Sequence, residues 1–159
     1  MKLWIIYKEG IGFSKLIAEM LQDRLEELID VSVGSSKKIL PTLLVQEQFE
    51  CLIIGDIESR NKESADIKDW ILEFWEESKK INHQVTGISG FYIVLTDKTV
   101  EPLWIKFFRE DKIKKEIFPP ILRLKLNIEE LVLEEKTPEL IKEFAEKIIE
   151  FYIYKNEDL

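Results

Sequence analysis

Short apolar runs alternate along the chain with longer segments in which apolar residues recur every three or four positions. Residues 2–7 are almost entirely apolar and lead into a Gly-containing loop, which is typical of a parallel strand that is buried on both faces. Similar runs at residues 29–33, 51–55 and 88–95 predict the second, third and fourth strands.

The segments between these runs carry helical signals. From Ser14 onward, apolar residues follow the i, i+3, i+4 spacing of an amphipathic helix, and Ser14 is placed to cap its start. Further helices are predicted at residues 42–48, 64–80, 101–118 and from Thr137 onward. Strands that alternate with helices favour right-handed crossovers and a parallel sheet with helices on both faces.

The fifth strand has two candidate positions. Residues 121–126 and 128–133 are both apolar stretches, and either could form the strand or both could form a split one. The pattern as a whole predicts an α/β fold, a three-layer doubly wound domain with a five-stranded parallel sheet. The length fits one such domain over residues 1–154, followed by a mobile tail at residues 155–159.

Composition narrows the class of protein. The 159 residues are 45% hydrophobic and 34% charged, which predicts one compact core with solvated helix faces. No apolar run is long enough to cross a bilayer and the first residues lack a signal-peptide layout, so we expect a cytoplasmic protein without a membrane partner.

Cys51, the one cysteine, lies in an apolar run and is predicted to be a buried structural thiol. His83, the one histidine, lies in a polar turn and is predicted to be a surface residue.

Charge is unevenly distributed. The net charge of -8 argues against binding to nucleic acid, because a phosphate backbone would be repelled. Residues 98–125 nevertheless carry eight Lys and Arg against four Asp and Glu. The basic stretch at residues 106–115 is either the solvated face of a helix or a docking face for an acidic partner or anionic ligand. Helix 101–118 is therefore a candidate surface for a redox or other protein partner, while Glu134 and Glu135 are interpreted as solvated charges.

The loops after strands 1 and 3 are the expected ligand site, because ligands of doubly wound sheets bind beyond the carboxyl ends of the strands at the switch point. The first loop reads Tyr7-Lys-Glu-Gly-Ile-Gly-Phe-Ser14. It resembles the phosphate-binding loop of the flavodoxin family, a hydroxyl-rich turn with a Gly and a closing Thr or Ser, and Gly12 and Ser14 match that pattern. The resemblance implies a flavodoxin-like strand order of 2-1-3-4-5 and FMN as the cofactor, with its phosphate at the amino end of the first helix.

The resemblance also implies which residues surround the cofactor, from the loops after strands 1, 3 and 4 and from the helix that follows. These candidate cofactor-binding residues are Glu9, Gly10, Ile11, Gly12, Phe13, Ser14, Ile57, Glu58, Ser59, Thr96, Asp97 and Trp104. Trp104 is the nearest aromatic residue for stacking on the flavin ring, although it also fits the apolar spacing of its own helix, which predicts a packing role.

Three functional interpretations follow. The first is an FMN-binding electron-transfer or redox protein. The second is a flavin-free interaction or scaffold domain, because Glu9, Gly10 and Ile11 stand where the family has hydroxyls and Glu9 would repel a phosphate unless Lys8 or Lys15 offsets it. The third is a receiver-like phosphoacceptor domain, because the order of Asp56, Thr96 and Lys125 resembles that of the receiver family. Receivers place a pair of acids after strand 1 to hold Mg²⁺, whereas here Glu9 is the one acid.

Overall fold

The computed structural model describes residues 2–58, 65–83, 85–95, 101–109 and 117–157. Strands and helices alternate over most of this length, as the apolar pattern predicts. In chain order the elements are β1 Lys2–Tyr7, α1 Phe13–Leu25, β2 Asp30–Ser35, α2 Pro41–Leu44, β3 Cys51–Ile57, α3 Ala65–Lys80, β4 Gly87–Val94, α4 Leu103–Arg109, β5 Leu122–Asn127, β6 Val132–Leu133 and α5 Thr137–Glu157.

The strands lie side by side in the order β2-β1-β3-β4-β5-β6. The first five are parallel, and β6 pairs antiparallel with β5 through Leu126 and Leu133. The predicted α/β fold and the strand order 2-1-3-4-5 are confirmed. The first of the two apolar stretches forms the fifth strand, and the second contributes only the short edge strand β6.

Each face of the sheet has its own hydrophobic core. Along β1, Leu3 and Ile5 belong to the core beneath α1 and α5, whereas Trp4 and Ile6 belong to the core beneath α2, α3 and α4. Successive strand residues point to opposite faces, so a strand that is buried on both faces must be apolar throughout. Cys51 is 1% exposed in the first core, and its predicted burial is confirmed.

One predicted helix boundary is corrected. The helix expected at residues 101–118 is described as Leu103–Arg109, and it does not reach Phe118, because Ile117 forms a parallel bridge with Ile88 of β4. Phe118 precedes a proline, and proline disfavours helical backbone in the residue before it. At the other end of the domain, α5 continues to Glu157, so residues 155–157 extend the helix.

No helix within the described ranges is long and apolar enough to span a membrane.

Candidate functional site

Hydrogen bonds join the loops that follow β1, β3 and β4 at one edge of the sheet. The amide of Lys8 donates to the Gly55 carbonyl at 2.8 Å, and the amide of Glu58 donates to the Ile93 carbonyl at 2.8 Å. The Glu58 carboxylate in turn accepts the amide of Leu95 at 2.7 Å. The three loops are thereby held at a fixed spacing at the carboxyl ends of the strands, where doubly wound sheets bind ligands.

The loop after β1 enters α1 through a left-handed glycine. Gly12 has φ 92° and ψ -10°, a conformation that glycine adopts without strain. No side chain of the described residues caps the helix, and the amide of Leu16 donates to the Gly12 carbonyl at 3.1 Å. The amides that precede Leu16 in α1 therefore have no acceptor within the helix, and they lie at the positive end of its dipole. Such a helix end favours an anion.

Ser14 lies inside the first turn of α1, with Gly12 in the capping position that the spacing predicted for Ser14. The Ser14 side chain is 2% exposed, and its Oγ has no hydrogen-bond partner among the described residues. An unpaired buried hydroxyl is costly and is normally satisfied. A phosphate at the amino end of α1 would supply the missing acceptor, so the residues present here fit such a group.

Gly10 brings the first loop against the end of β3. A Cβ built on Gly10 would lie 3.1 Å from Cγ2 of Ile57, so the absence of a side chain allows this approach. The structure thus brings together two of the candidate residues from separate loops. Ile11, between the two glycines of the loop, is 56% exposed, and Phe13 is half-buried against the core beneath α1.

Glu9 is the feature of this loop that disfavours a phosphate. Its side chain is half-buried, and no ion pair involves it within the described part of the chain. The Lys15 ammonium, one of the two cations that could offset it, lies 4.0 Å from the carboxylate of Glu19 on the same helix. Lys8 instead lies close enough to Asp56 to favour the charged form of that carboxyl.

Trp104 is buried and presents no ring face for stacking. It is 1% exposed, and its indole Nε1 donates to Asp56 Oδ2 at 2.9 Å. The ring lies against the sheet at Gly90, where a Cβ would come within 2.8 Å of Trp104 Cη2. The role of a ring-stacking residue is therefore corrected to the packing role that its apolar spacing also predicted.

Asp56 is likewise buried, at 4% exposure. Its two carboxylate oxygens accept hydrogen bonds from Trp104 and from the amide of Ile57, the latter at 2.8 Å. Burial raises the pKa of the Asp56 carboxyl, and these hydrogen bonds only partly oppose that change. A phosphoacceptor aspartate needs an accessible carboxylate, so this environment does not fit the receiver-like interpretation.

Three candidate residues, Ser59, Thr96 and Asp97, lie outside the described residues. The other nine are described, and eight of them, all except Trp104, lie in or beside the linked loops.

His83, the one histidine of the chain, packs against Phe49, which precedes β3. His83, which the sequence predicts to be a surface residue, is half-buried, with its ring 5.1 Å from that of Phe49 and its Nε2 buried. Among the residues that the structure describes, no three His, Cys, Asp or Glu side chains are grouped so that they could hold a metal ion.

The structure has a groove beside the linked loops that the sequence did not predict. It has a volume of about 480 Å³ and lies between Leu95 and the β5–β6 hairpin, residues 122–133. Its signal in the sequence is the apolar stretch Leu131-Val132-Leu133 between two pairs of glutamates, of which the second pair was interpreted only as solvated charge. The stretch lies beside the groove because it folds back in the β5–β6 hairpin, and the sequence left open whether residues 128–133 form a strand.

Several solved structures resemble this chain in fold. A flavodoxin from Streptococcus pneumonia TIGR4 is 16% identical, with a TM-score of 0.67 over 94% of this chain and 98% of that one. Oxidised flavodoxin 2 from Bacillus cereus is 18% identical, with a TM-score of 0.70 over 94% and 99% of the two chains. Rubredoxin oxygen:oxidoreductase from Desulfovibrio gigas is 15% identical, with a TM-score of 0.72 over 92% of this chain but 35% of that one.

No family model matches the sequence, and no curated protein matches it. The shared strand order and the nearly complete coverage of both flavodoxin chains define the class of protein: this chain has the flavodoxin-like fold.

Proposed function

We propose that this protein binds FMN at the linked loops and acts as an electron-transfer protein. The observation that carries the proposal is the Ser14 hydroxyl, which is buried at the amino end of α1 and has no hydrogen-bond partner in the part of the chain that the structure describes. The flavodoxin-like fold supports it, because flavodoxins are among the proteins of known structure that this chain resembles. FMN, when bound, supplies the electron-transfer chemistry, and the protein supplies binding and orientation.

Different residues of the chain would contact different parts of FMN. The amides of Phe13, Ser14 and Lys15 and the Ser14 hydroxyl would donate hydrogen bonds to the phosphate, and Gly12 allows the backbone to turn toward it. Glu58 would hold the loop after β4 in place through the amide of Leu95. Ile11, which is 56% exposed, would offer apolar surface beside the ring.

The experiment is a titration of the purified protein with FMN, followed by absorbance and thermal unfolding. A flavin spectrum, or an increase in melting temperature on adding FMN, is the expected result. A colourless protein whose spectrum and melting temperature do not respond to FMN would contradict the proposal.

Ser14→Ala makes the test specific to the phosphate. We expect FMN affinity to fall about tenfold to a hundredfold, because a hydrogen bond to a charged group contributes about 1.5–3 kcal/mol. Affinity for riboflavin, which has no phosphate, should not change, and Ser14→Thr keeps the hydroxyl as the matched control. Without ligand, Ser14→Ala should be at least as stable as the natural protein, since it removes an unpaired buried hydroxyl.

Glu9→Gln tests the opposing charge. Because Glu9 has no ion pair within the described residues, removing its charge should tighten FMN binding several-fold at low salt and less at high salt. Riboflavin binding again serves as the control. An unchanged affinity for FMN would place the Glu9 carboxylate away from the phosphate.

A second candidate is a flavin-free interaction domain on the same fold. The unpaired charge of Glu9 and the burial of Trp104 favour it. Failure of the FMN titration, together with co-purification of a protein partner, would support this alternative. The expected cytoplasmic location, the single-domain organisation and a partner for the basic α4 region stay predictions in either case.

A further inference from the structure

The groove beside the linked loops has an apolar floor. Leu95, Leu126 and Leu133 line it, and all three belong to or pack against the core beneath α1 and α5. Its volume of about 480 Å³ is sufficient for one or two large side chains. The floor is held in place by the core and by the hairpin, because Leu126 is 1% exposed and pairs with Leu133 across the hairpin.

Two apolar side chains are exposed at the hairpin turn beside this floor. Leu131 is 56% exposed and Val132 is 55% exposed. Leu131 also has a φ of 53°, in the left-handed region that leucine adopts only with strain. An exposed leucine in this conformation contributes little to the stability of the isolated domain, since glycine or asparagine would fit the same backbone at lower cost.

Carboxylates surround the apolar surface. The groove is lined by four glutamates and one lysine: Glu129, Glu130, Glu134, Glu135 and Lys125. The Asn127 side chain accepts the amides of Glu129 and Glu130, at 3.0 and 3.3 Å, and so fixes the turn that carries them. The groove therefore has an apolar floor and a negatively charged rim.

We propose that this groove docks a basic segment of another protein, with an arginine at its centre and an apolar residue beside it. The methylene stem of an arginine packs on leucine side chains while its guanidinium pairs with carboxylates, which matches floor and rim at once. The rim repels anionic lipid and nucleic acid. A second copy of this chain fits poorly, because each copy carries a net charge of -8, and Arg109 is already paired with Glu101 at 2.8 Å.

The site goes beyond the proposed flavin binding and does not depend on it. Leu95 lines the groove and also donates its amide to Glu58 in the linked loops, so a docked segment would lie next to the proposed cofactor site. Experiments on flavin-free protein test the groove by itself.

The probe is a short synthetic peptide that alternates arginine and leucine, added to the flavin-free protein and followed by calorimetry and NMR. We expect binding that weakens with salt, and chemical-shift changes concentrated at Leu95, Leu126 and residues 128–135. A peptide with glutamate in place of arginine should not bind.

Two variants with one control make the assignment specific. The double substitution Glu129→Gln and Glu130→Gln should weaken binding about five- to tenfold, since two rim charges are removed. Leu131→Asn should weaken it several-fold while the fold is kept, because asparagine tolerates the left-handed backbone. The control, Glu26→Gln and Glu27→Gln, removes two exposed carboxylates after α1 and should leave affinity nearly unchanged.

Three results would overturn the proposal. The first is a control pair that weakens binding as much as the hairpin pair does. The second is a set of chemical-shift changes spread over all acidic surfaces. The third is concentration-dependent dimerisation that the hairpin substitutions abolish, which would assign the groove to a second copy of the chain.

Discussion

At the scale of single residues, Asp56 illustrates how burial decides the chemistry of a side chain. The sequence places it at the end of an apolar run, in an order with Thr96 and Lys125 that resembles a phosphoacceptor domain. In the structure it is the sixth residue of β3, it is 4% exposed, and it accepts the indole N–H of Trp104. Burial raises its pKa, so the protonated form is favoured more strongly in the folded chain than in the unfolded one.

This shift predicts a pH dependence of stability. A carboxyl whose folded-state pKa is raised contributes stability below its unfolded pKa, about 4, and that contribution is lost as the pH rises through the folded-state pKa. The free energy of unfolding of the natural protein, minus that of Asp56→Asn, should therefore decrease as the pH rises above about 4. Urea unfolding of both proteins across this range measures the difference. A difference that increases with pH would mean that the hydrogen bonds from Trp104 and Ile57 outweigh burial.

Leu131 permits a second prediction at this scale. Leu131→Gly should stabilise the flavin-free domain by up to about 1 kcal/mol, because it relieves the left-handed backbone and removes a side chain that is already 56% exposed. The measurement is thermal unfolding, with Val132→Ala as a control that shortens a similarly exposed side chain at ordinary backbone geometry. A loss of stability in Leu131→Gly would mean that the leucine supports the hairpin itself.

At the scale of elements, α4 lies on the sheet because β4 has a glycine beneath it. A Cβ on Gly90 would come within 2.5 Å of the Ile54 carbonyl oxygen and 2.8 Å of Trp104. Neither contact can be relieved by moving the end of a flexible side chain. Gly90 thus decides how closely helix and sheet approach, and with it the burial of the hydrogen bond between Trp104 and Asp56.

Gly90→Ala should destabilise the domain by about 1–3 kcal/mol, because the added methyl group forces β3 or α4 to move. Gly34→Ala is the matched control, since the three atoms nearest to its methyl group would all belong to the side chains of Ile39 and Trp4. The free energies of unfolding of the two variants are compared by urea unfolding. Equal losses would show that α4 adjusts as readily as a single side chain.

The apolar pattern predicted the elements better than it predicted their ends. Runs such as that of β1 are visible in the sequence because burial on both faces requires apolar residues throughout. The end of α4 and the pairing of β6 depend on contacts with distant residues. Ile117 joins Ile88, and Leu133 joins Leu126, and neither partner can be identified from local spacing.

At the scale of the whole molecule, one sheet separates two cores. The four tryptophans lie on the α2, α3 and α4 side, with Trp75 only partly buried there. The longest helix, α5, lies on the other side with α1. Tryptophan fluorescence therefore reports on one face, whereas far-ultraviolet circular dichroism includes the helices of both.

Because the central strands contribute side chains to both cores, we expect a single cooperative unfolding transition that both probes report at the same midpoint. Ile148→Ala, on the face without tryptophans, should reduce the free energy of unfolding by about 2–5 kcal/mol. Both midpoints should therefore fall together. Ile81→Ala, which shortens an isoleucine that is 51% exposed, should change little. A fluorescence transition that Ile148→Ala leaves unmoved would mean that the two cores unfold separately.

The sequence by itself determined the α/β class and the position of the first four strands, and it led to the prediction that the loop after β1 binds an anion. These features are local: apolar spacing follows from burial, and Gly12 and Ser14 lie within a few residues of each other. Tertiary structure alone decided that Trp104 is buried against Gly90 and Asp56, that Ser14 lacks a hydrogen-bond partner within the described ranges, and that the hairpin forms a groove with Leu95. Each of these joins residues that are distant along the chain, or depends on which atoms surround a side chain, and packing fixes both only when the sheet is assembled.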